Sequence, residues 1–394
     1  MARPKINMEC KICGEENCKK HSILLSKVQK IDEFSGSSPP EIFVGKWNYP
    51  NVYTGILSPT VHGDTEELSS HEIWHEKKIP INSILKMRSQ LIYSRKQSDI
   101  HKAVIDKFFL PKLQEIAMAD KSVSAEYKLE KPITKHDEKE SRVPLISRAA
   151  PLKKVTITDN VKIKKKVDYI VNDTEVKSAQ ALVELSNSDI QTSSLIKILS
   201  SGLLGLKKNR KLVPTRWSIT AVDDTLSKEK LERIRLYKQI QEITLFTAEY
   251  VGNHYEFLLL PDNFEFEVIE KSQNSSSSWH DHESFFARKK YADSVTGAYY
   301  ANRLALTEYL DKIKKQASCL VIREIRPEYY APLGVGILRQ ISREAFASNP
   351  KKFNSVKEAL EDIQNRLKQP INNFTEKSII LQNYGKQKKI NEFF

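Results

Sequence analysis

The chain has 394 residues, room for two or three domains of ordinary size, and with 40% apolar and 29% charged residues it is not disordered throughout. A surplus of 63 Lys and Arg over 50 Asp and Glu leaves a formal net charge of +13, which favours polyanionic partners without separating DNA, RNA and anionic lipid. No apolar run approaches the roughly 18 residues of a membrane span and the start lacks an apolar secretion core, so a soluble, cytoplasmic protein with no membrane partner is expected.

Three of the four cysteines fall within the first 18 positions. Cys10, Cys13 and Cys18 with His21 spell C-x2-C-x4-C-x2-H, a spacing that lets two short turns gather three thiolates and one imidazole around a tetrahedral zinc ion. Four protein ligands leave no open position, so the zinc is structural, and the polar residues between the ligands could not order the segment without it. A redox pair at Cys10 and Cys13 is the alternative. Cys319, in the apolar run SCLVIREI, is a small buried hydrophobe.

Residues 36–63 carry eight Gly and Pro, which excludes regular helix and predicts an ordered, turn-rich wall whose aromatics, Phe43, Trp47, Tyr49 and Tyr53, pack inward, the alternative being that they offer faces for bases. His71 and His75 stand one helical turn apart, but Trp74 between them indicates ordinary packing. Helical stretches follow over 81–118, with a new start at Pro111. The charged segment 120–142, centred on KHDEKE, reads as a loop or linker. From Leu152, the alternation of Val155, Ile157, Val161, Ile163, Val167 and Tyr169 predicts strands. This zone is also cationic, and Arg148, Lys153 and Lys154 are candidate nucleic-acid contacts beside the reading of a wet sheet face.

Residues 175–204 read as helical, stopped by Gly202. The segment GLKKNRKLVPTRW then brings Lys207, Lys208, Arg210, Lys211 and Arg216 together with no acid. Such cations bind phosphates while Trp217 stacks a base; the competing reading is a solvated turn with Trp217 in the core. A helix is expected near 226–242, and a hairpin from strands 254–260 and 264–270 turning at Pro261-Asp262-Asn263. The serine run 275–278 is a solvated loop, and the neighbouring cluster His280, Asp281, His282 and Glu283 reads as a solvated turn. A helix over 295–316 precedes two strands, SCLVIREI and LGVGILRQ, with Arg323, Arg326, Tyr329 and Tyr330 as a polar group near the end of the first. Ser355 and Glu358 form a capping box for the last helix.

No phosphate loop or nucleophile elbow is present. Asp64, Asp223, Asp224, Glu249 and Glu324 are the carboxylates from which a magnesium site could be drawn, although Asp223 and Asp224 read more simply as charges capping the next helix. The chain ends QKKINEFF. In one helical turn Ile390, Phe393 and Phe394 share a face, and Q-x-x-I-x-x-F-F matches the peptide by which replication and repair proteins dock on the ring-shaped DNA sliding clamp. The resemblance makes Gln387 the polar anchor and the other three the apolar plug.

The segments SPPEIFVG (38–45), RAAPLKK (148–154), SGLLGLKKNRKLVPTRWSITAVDD (201–224), YADSVTGAYYANRL (291–304) and VIREIRPEYYAPLGVG (321–336) resemble the archaeal Nre family, described as DNA repair proteins. The likeness runs over nearly the whole chain and includes a cysteine-rich start and, in many members, a clamp-binding tail. It implies a repair context but transfers no catalytic residue. The resulting expectation is an α+β fold, a mixed sheet with flanking helices between a small zinc-binding segment and a flexible tail. It divides into a zinc segment (1–35), a turn-rich and helical region (36–140), a main domain (141–370) and a tail (371–394). The expected role is a nucleic-acid-binding DNA repair protein recruited through the sliding clamp. A magnesium-dependent nuclease acting on damaged or branched DNA is one alternative and an RNA-binding factor another; enzymatic activity and oligomeric state are left open. The purified protein should carry about one zinc per chain and lose it on Cys10→Ser with Cys13→Ser. Elemental analysis checks this, and a zinc-free preparation with a folded amino terminus would refute it.

Overall fold

The computed structural model describes residues 31–132 and 148–386. The expected zinc ligands Cys10, Cys13, Cys18 and His21, the tail residues Gln387, Ile390, Phe393 and Phe394, and residues 133–142 of the charged stretch lie outside the described residues, as does the side chain of Arg148. Two compact units divide the chain. One runs to Val222 and takes in Tyr330–Gly334; the other comprises Asp223–Tyr329 and the residues from Val335 on.

The first unit is built on β1 (Glu33–Ser38), β2 (Glu41–Val44), β3 (Asn51–Ser58), β4 (Ile92–Asp99), β5 (Val123–Leu129) and β6 (Arg148–Ile157). They form one mixed sheet in the order β1-β5-β6-β4-β3-β2, with β4 and β6 parallel and the other pairs antiparallel. Its helices are α1 (His71–Glu76), α2 (Ile81–Arg88), α3 (Leu110–Met118), α4 (Lys165–Asn172), α5 (Ser178–Ser186) and α6 (Thr192–Ser200). Leu110, Leu113 and Ile116 of α3 pack on Ile42, Val52, Ile56 and Ile92 of the sheet. Pro111 occupies the first turn of α3, and the Asp106 carboxylate accepts from the backbone N–H groups of Phe108, Phe109 and Leu110 at 2.8–3.1 Å, which caps the start. Gly55 lies where a Cβ would come within 2.3 Å of the Ser94 carbonyl oxygen, so close approach of β3 to β4 requires glycine.

Several expectations are corrected here. The 36–63 wall is free of regular helix, as its glycines and prolines demand, but it consists largely of β1, β2 and β3. The charged 120–142 stretch contains β5, whose Val123, Ala125, Tyr127 and Leu129 alternate inward while its ionic residues face out. Strong outward charge masked a period of two. Beyond Ile157 the apparent alternation fails: Val167, Ile170 and Val171 are buried on one face of helix α4, whereas the shorter repeat placed Tyr169 on that face and the structure leaves it exposed. A boundary near residue 140 is not observed, because β5 and β6 on either side of it pair in one sheet.

In the second unit β7 (Ile243–Tyr250), β8 (Asn253–Leu260), β9 (Glu265–Ser272), β10 (Ser278–Glu283), β11 (Ser318–Ile325) and β12 (Lys351–Phe353) form a sheet in the order β10-β9-β11-β8-β7-β12. Helix α7 (Thr215–Ile234) starts in the first unit and ends in the second, which further contains α8 (Gly297–Ile313), α9 (Val335–Ala347), α10 (Val356–Gln364), α11 (Asn372–Thr375) and α12 (Ile379–Asn383). One sheet face, with Leu245, Leu258, Leu260, Ile269, Leu320 and Ile322, packs on Ala359, Ile363, Phe374 and Ile380. On the other, Phe246 and Phe257 meet Tyr309 of α8 and Phe346 of α9 with ring centroids 4.8–5.1 Å apart.

The expected hairpin of β8 and β9 does not form. Both strands exist at the expected residues, but β11 lies between them, antiparallel to β8 and parallel to β9. β8 instead pairs in a tight turn with β7, through Val251 and Gly252 at φ of 44° and 75°. LGVGILRQ is also not a strand, since Ile337, Leu338, Ile341 and Ala345 are buried at helical intervals on α9. The capping box of α10 is present: Ser355 Oγ accepts from Glu358 N at 3.2 Å, and the Glu358 carboxylate accepts from Asn354 N.

Asp223 and Asp224 lie in the middle of α7 and cap nothing. Arg339 of α9 donates to both oxygens of Asp223 at 2.9 and 2.7 Å. Arg303 of α8 donates to Asp224, to Glu283 at 2.6 Å and to Ser227 at 3.1 Å. Asp223, Arg303 and Arg339 are all buried. Removing one partner of such a pair leaves an unpaired charge in the interior, so Arg339→Met should cost about 3–5 kcal/mol, and adding Asp223→Leu should restore most of the loss. Urea unfolding midpoints check this, and an unchanged midpoint for the single variant would overturn it.

Candidate nucleic-acid interface

The turn joining β2 to β3 runs Gly45-Lys46-Trp47-Asn48-Tyr49-Pro50. Gly45 N donates to Tyr53 O at 2.8 Å, closing the strand ends, and Asn48 takes the left-handed conformation at φ 62°, one that asparagine tolerates. The loop therefore projects Trp47 and Tyr49, which are 54% and 46% exposed. Inward packing, the sequence expectation for these two aromatics, is not what is found. Phe43 does pack, edge-on against Tyr93. Tyr53 is half-buried beneath the guanidinium of Arg95, 4.1 Å from its ring centroid.

Helix α7 brings a third ring to this turn. Thr215 Oγ1 accepts from Val44 N at 2.9 Å and bonds Ser200 Oγ at 3.1 Å, so the first turn of α7 is fastened to the end of β2 and to α6. Pro214 O accepts the N–H groups of Trp217 and Ser218, which sets the helix start. Trp217 thereby stands 5.4 Å from Tyr49, centroid to centroid, and is 46% exposed. The reading of Trp217 as a core residue is set aside. Lys46 Nζ lies 4.5 Å from the Trp47 centroid, and Arg216 is exposed beside Trp217. Three aromatic faces with cations around them combine the two groups that single-stranded nucleic acid requires: ring faces for bases and positive charge for the backbone.

The remaining sequence candidates divide. Lys207, Lys208 and Lys211 are exposed around a short 3-10 turn, and no salt bridge engages them or Arg216 among the described residues. Arg210 is different. Its guanidinium donates to Gly205 O at 2.9 Å and to Asp173 O at 2.8 Å, so it fastens the loop. Burial lowers its affinity for a proton, the nearby Asp173 opposing. Lys153 and Lys154 are both exposed on β6, next to the register shift opposite Lys128 and Leu129.

The acidic candidates are committed elsewhere. Asp223 and Asp224 serve Arg339 and Arg303, while Glu249 and Glu324 share Arg326, at 2.6 and 3.0 Å. Asp64 accepts from Glu66 N at 3.1 Å. His280 and His282 sit on one face of β10 and not in a solvated turn, paired with Glu267 at 2.7 Å and Glu265 at 3.3 Å. Burial alone would raise the Glu267 carboxyl, but hydrogen bonds from His280, Ser378, Ile379 N and Ile380 N hold it below the usual carboxylate value, as suits a cap on α12. His71 Nε2 lies 3.0 Å from Leu333 O and Trp74 is buried. Arg323 is buried against Glu270 and Asn253. Among the described residues no three His, Cys, Asp or Glu side chains gather as metal ligands do, and no helix is long and apolar enough to cross a membrane.

Sequence reasoning did not single out Lys46, and it placed surface display of Trp47 and Tyr49 second to inward packing. The signal available was their position within the turn-forming string GKWNYP, where the chain reverses and side chains face outward.

The models of the archaeal Nre amino-terminal and carboxy-terminal regions match residues 9–280 and 283–393. The chain is 31% identical to "DNA repair protein NreB" of Archaeoglobus fulgidus, over 98% of this chain and 99% of the relative. It is 35% identical to "DNA repair protein NreA" of the same organism, over 91% and 93% of the two chains. To the NreA of Haloferax volcanii it is 31% identical, over 84% and 82%. No solved structure matches. With family models covering almost the whole length and relatives aligned end to end, the chain belongs to the archaeal Nre family.

Proposed function

We propose that this protein acts in DNA repair by holding a DNA strand on the aromatic turn and basic segment of its first unit. The observation that carries the reading is the exposed trio Trp47, Tyr49 and Trp217, with Arg216 next to Trp217 in the chain and the exposed Lys207, Lys208 and Lys211 shortly before it. A protein does not leave three large rings in water for stability, and cations without acidic partners call for an anion. Curated relatives that bear the name DNA repair protein support DNA as that anion. Bases stack on the rings while Arg216 and the lysines contact phosphate, so recognition tolerates sequence and selects unpaired or distorted strands.

Two further elements complete the proposal. A structural zinc held by Cys10, Cys13, Cys18 and His21 orders the amino terminus, and the tail residues Gln387, Ile390, Phe393 and Phe394 dock on a DNA sliding clamp. Tethering through the clamp raises the local concentration of the body on DNA, so individual strand contacts can be weak.

Stacking contributes about 1–3 kcal/mol per base, so Tyr49→Ala with Trp217→Ala should weaken binding to single-stranded DNA by roughly five- to a hundredfold. Fluorescence anisotropy checks this, with an RNA strand of the same sequence alongside. Unchanged affinity removes the interface, and tighter binding to RNA moves the proposal to an RNA-binding factor. Removing residues 387–394 from the full chain should abolish its binding to an archaeal sliding clamp in calorimetric titration; binding that survives would show that the tail is not the tether.

A further inference from the structure

Another exposed aromatic stands in the second unit, on the loop from Ser284 to Tyr291 between β10 and α8. Phe286 is 80% exposed. The loop that carries it is fastened at its base by one side chain: Arg288 donates to His282 O at 2.8 Å, to Lys290 O at 3.3 Å and to Tyr291 O at 3.2 Å, and it pairs with the buried Asp281 at 3.0 Å. A guanidinium that spends its donors on both limbs of a loop holds the tip in one shape. Phe285 turns inward, 5.7 Å from the guanidinium carbon of Arg235, and props Phe286 edge-to-face at 5.6 Å. Tyr291 closes the loop by stacking on Tyr300.

The surroundings of the tip are cationic. Lys289 and Lys290 are exposed and without a salt bridge among the described residues. Residues 284–291 contain no acid; the nearest in sequence on the surface is Asp293. An apolar ring held out by a clipped loop among unpaired lysines suits a polyanion that has an apolar interior to receive the ring. Stacked nucleic acid has that construction.

Building on the nucleic-acid reading above, we infer that the Ser284–Tyr291 loop is a wedge that inserts Phe286 between bases of a weakened DNA duplex while Lys289 and Lys290 contact the flanking phosphates. Unstacking is least costly where pairing is already broken, so the wedge favours mismatched, nicked or gapped sites. No bond is made or broken in this step. Because the Phe286 side chain is exposed, its removal leaves the core intact.

The test uses the full chain and a nicked duplex with 2-aminopurine next to the nick, whose fluorescence rises when the base loses its stacking partner. Binding by the parent protein should raise the signal severalfold. At protein concentrations that saturate the duplex, Phe286→Ala should give no rise, and Phe286→Trp should restore it. Lys289→Ala with Lys290→Ala should flatten the salt dependence of binding. A parent that binds without a rise, or a Phe286→Ala variant that raises the signal equally, overturns the wedge and leaves the strand-holding interface standing. A parent that binds no DNA overturns both.

Discussion

Two adjacent aspartates in the middle of a helix impose the constraint around which the second unit is organised. Asp223 and Asp224 point in directions about a quarter-turn apart on α7; Asp223 is buried and cannot remain so without a cation, while the half-buried Asp224 faces a second one. Each recruits an arginine from a different helix, Arg339 from α9 and Arg303 from α8. Because a guanidinium presents a planar fork of donors, its partners are fixed in direction as well as distance. Arg303 goes on to bind Glu283 at the end of β10, which couples the helices to the edge of the sheet. Ser342 and Asn302, and Arg343 and Glu308, continue the contact between α8 and α9.

The same network sets where the surface groups of this unit stand. Glu283 is the last residue of β10, so the loop carrying Phe286 leaves the sheet from a point held by a buried ion pair. Arg288 then returns the loop onto the strand that launched it. In the first unit a different device gives a comparable result: a hydroxyl of Thr215 takes an edge N–H of β2, bringing Trp217 to the aromatic turn. Both displays fix rings on a loop or a helix start that is anchored to a rigid element, which limits the orientations the rings can take. Apolar surface held this way has a stability cost.

Several features were legible in the linear chain for reasons that are local. Pro111 opens a helix because its missing N–H is not needed in a first turn, and Ser355 with Glu358 caps α10 through hydrogen bonds spanning only a few residues. The strands FEFEV and SCLVIREI were visible by composition, and the family was carried by strings such as RPEYYAPLGVG. The basic segment 207–216 was visible as a run, although only the structure separates Arg210, fastened to carbonyls, from the lysines left exposed.

What the sequence by itself determined is thus the class of the fold, the positions of many elements, the charge and the family. Which strands pair was decided elsewhere. β8 and β9 have the pattern and turn of a hairpin, yet β11 from some 50 residues further on enters between them. Backbone hydrogen bonds do not depend on side-chain identity, so strand order follows from the burial of whole faces, which no local window contains. The fate of Trp47, Tyr49 and Trp217 was decided in the same way. An aromatic residue prefers the interior, and only the tertiary structure, by fastening α7 to β2 and closing the turn at Gly45, leaves these three facing water.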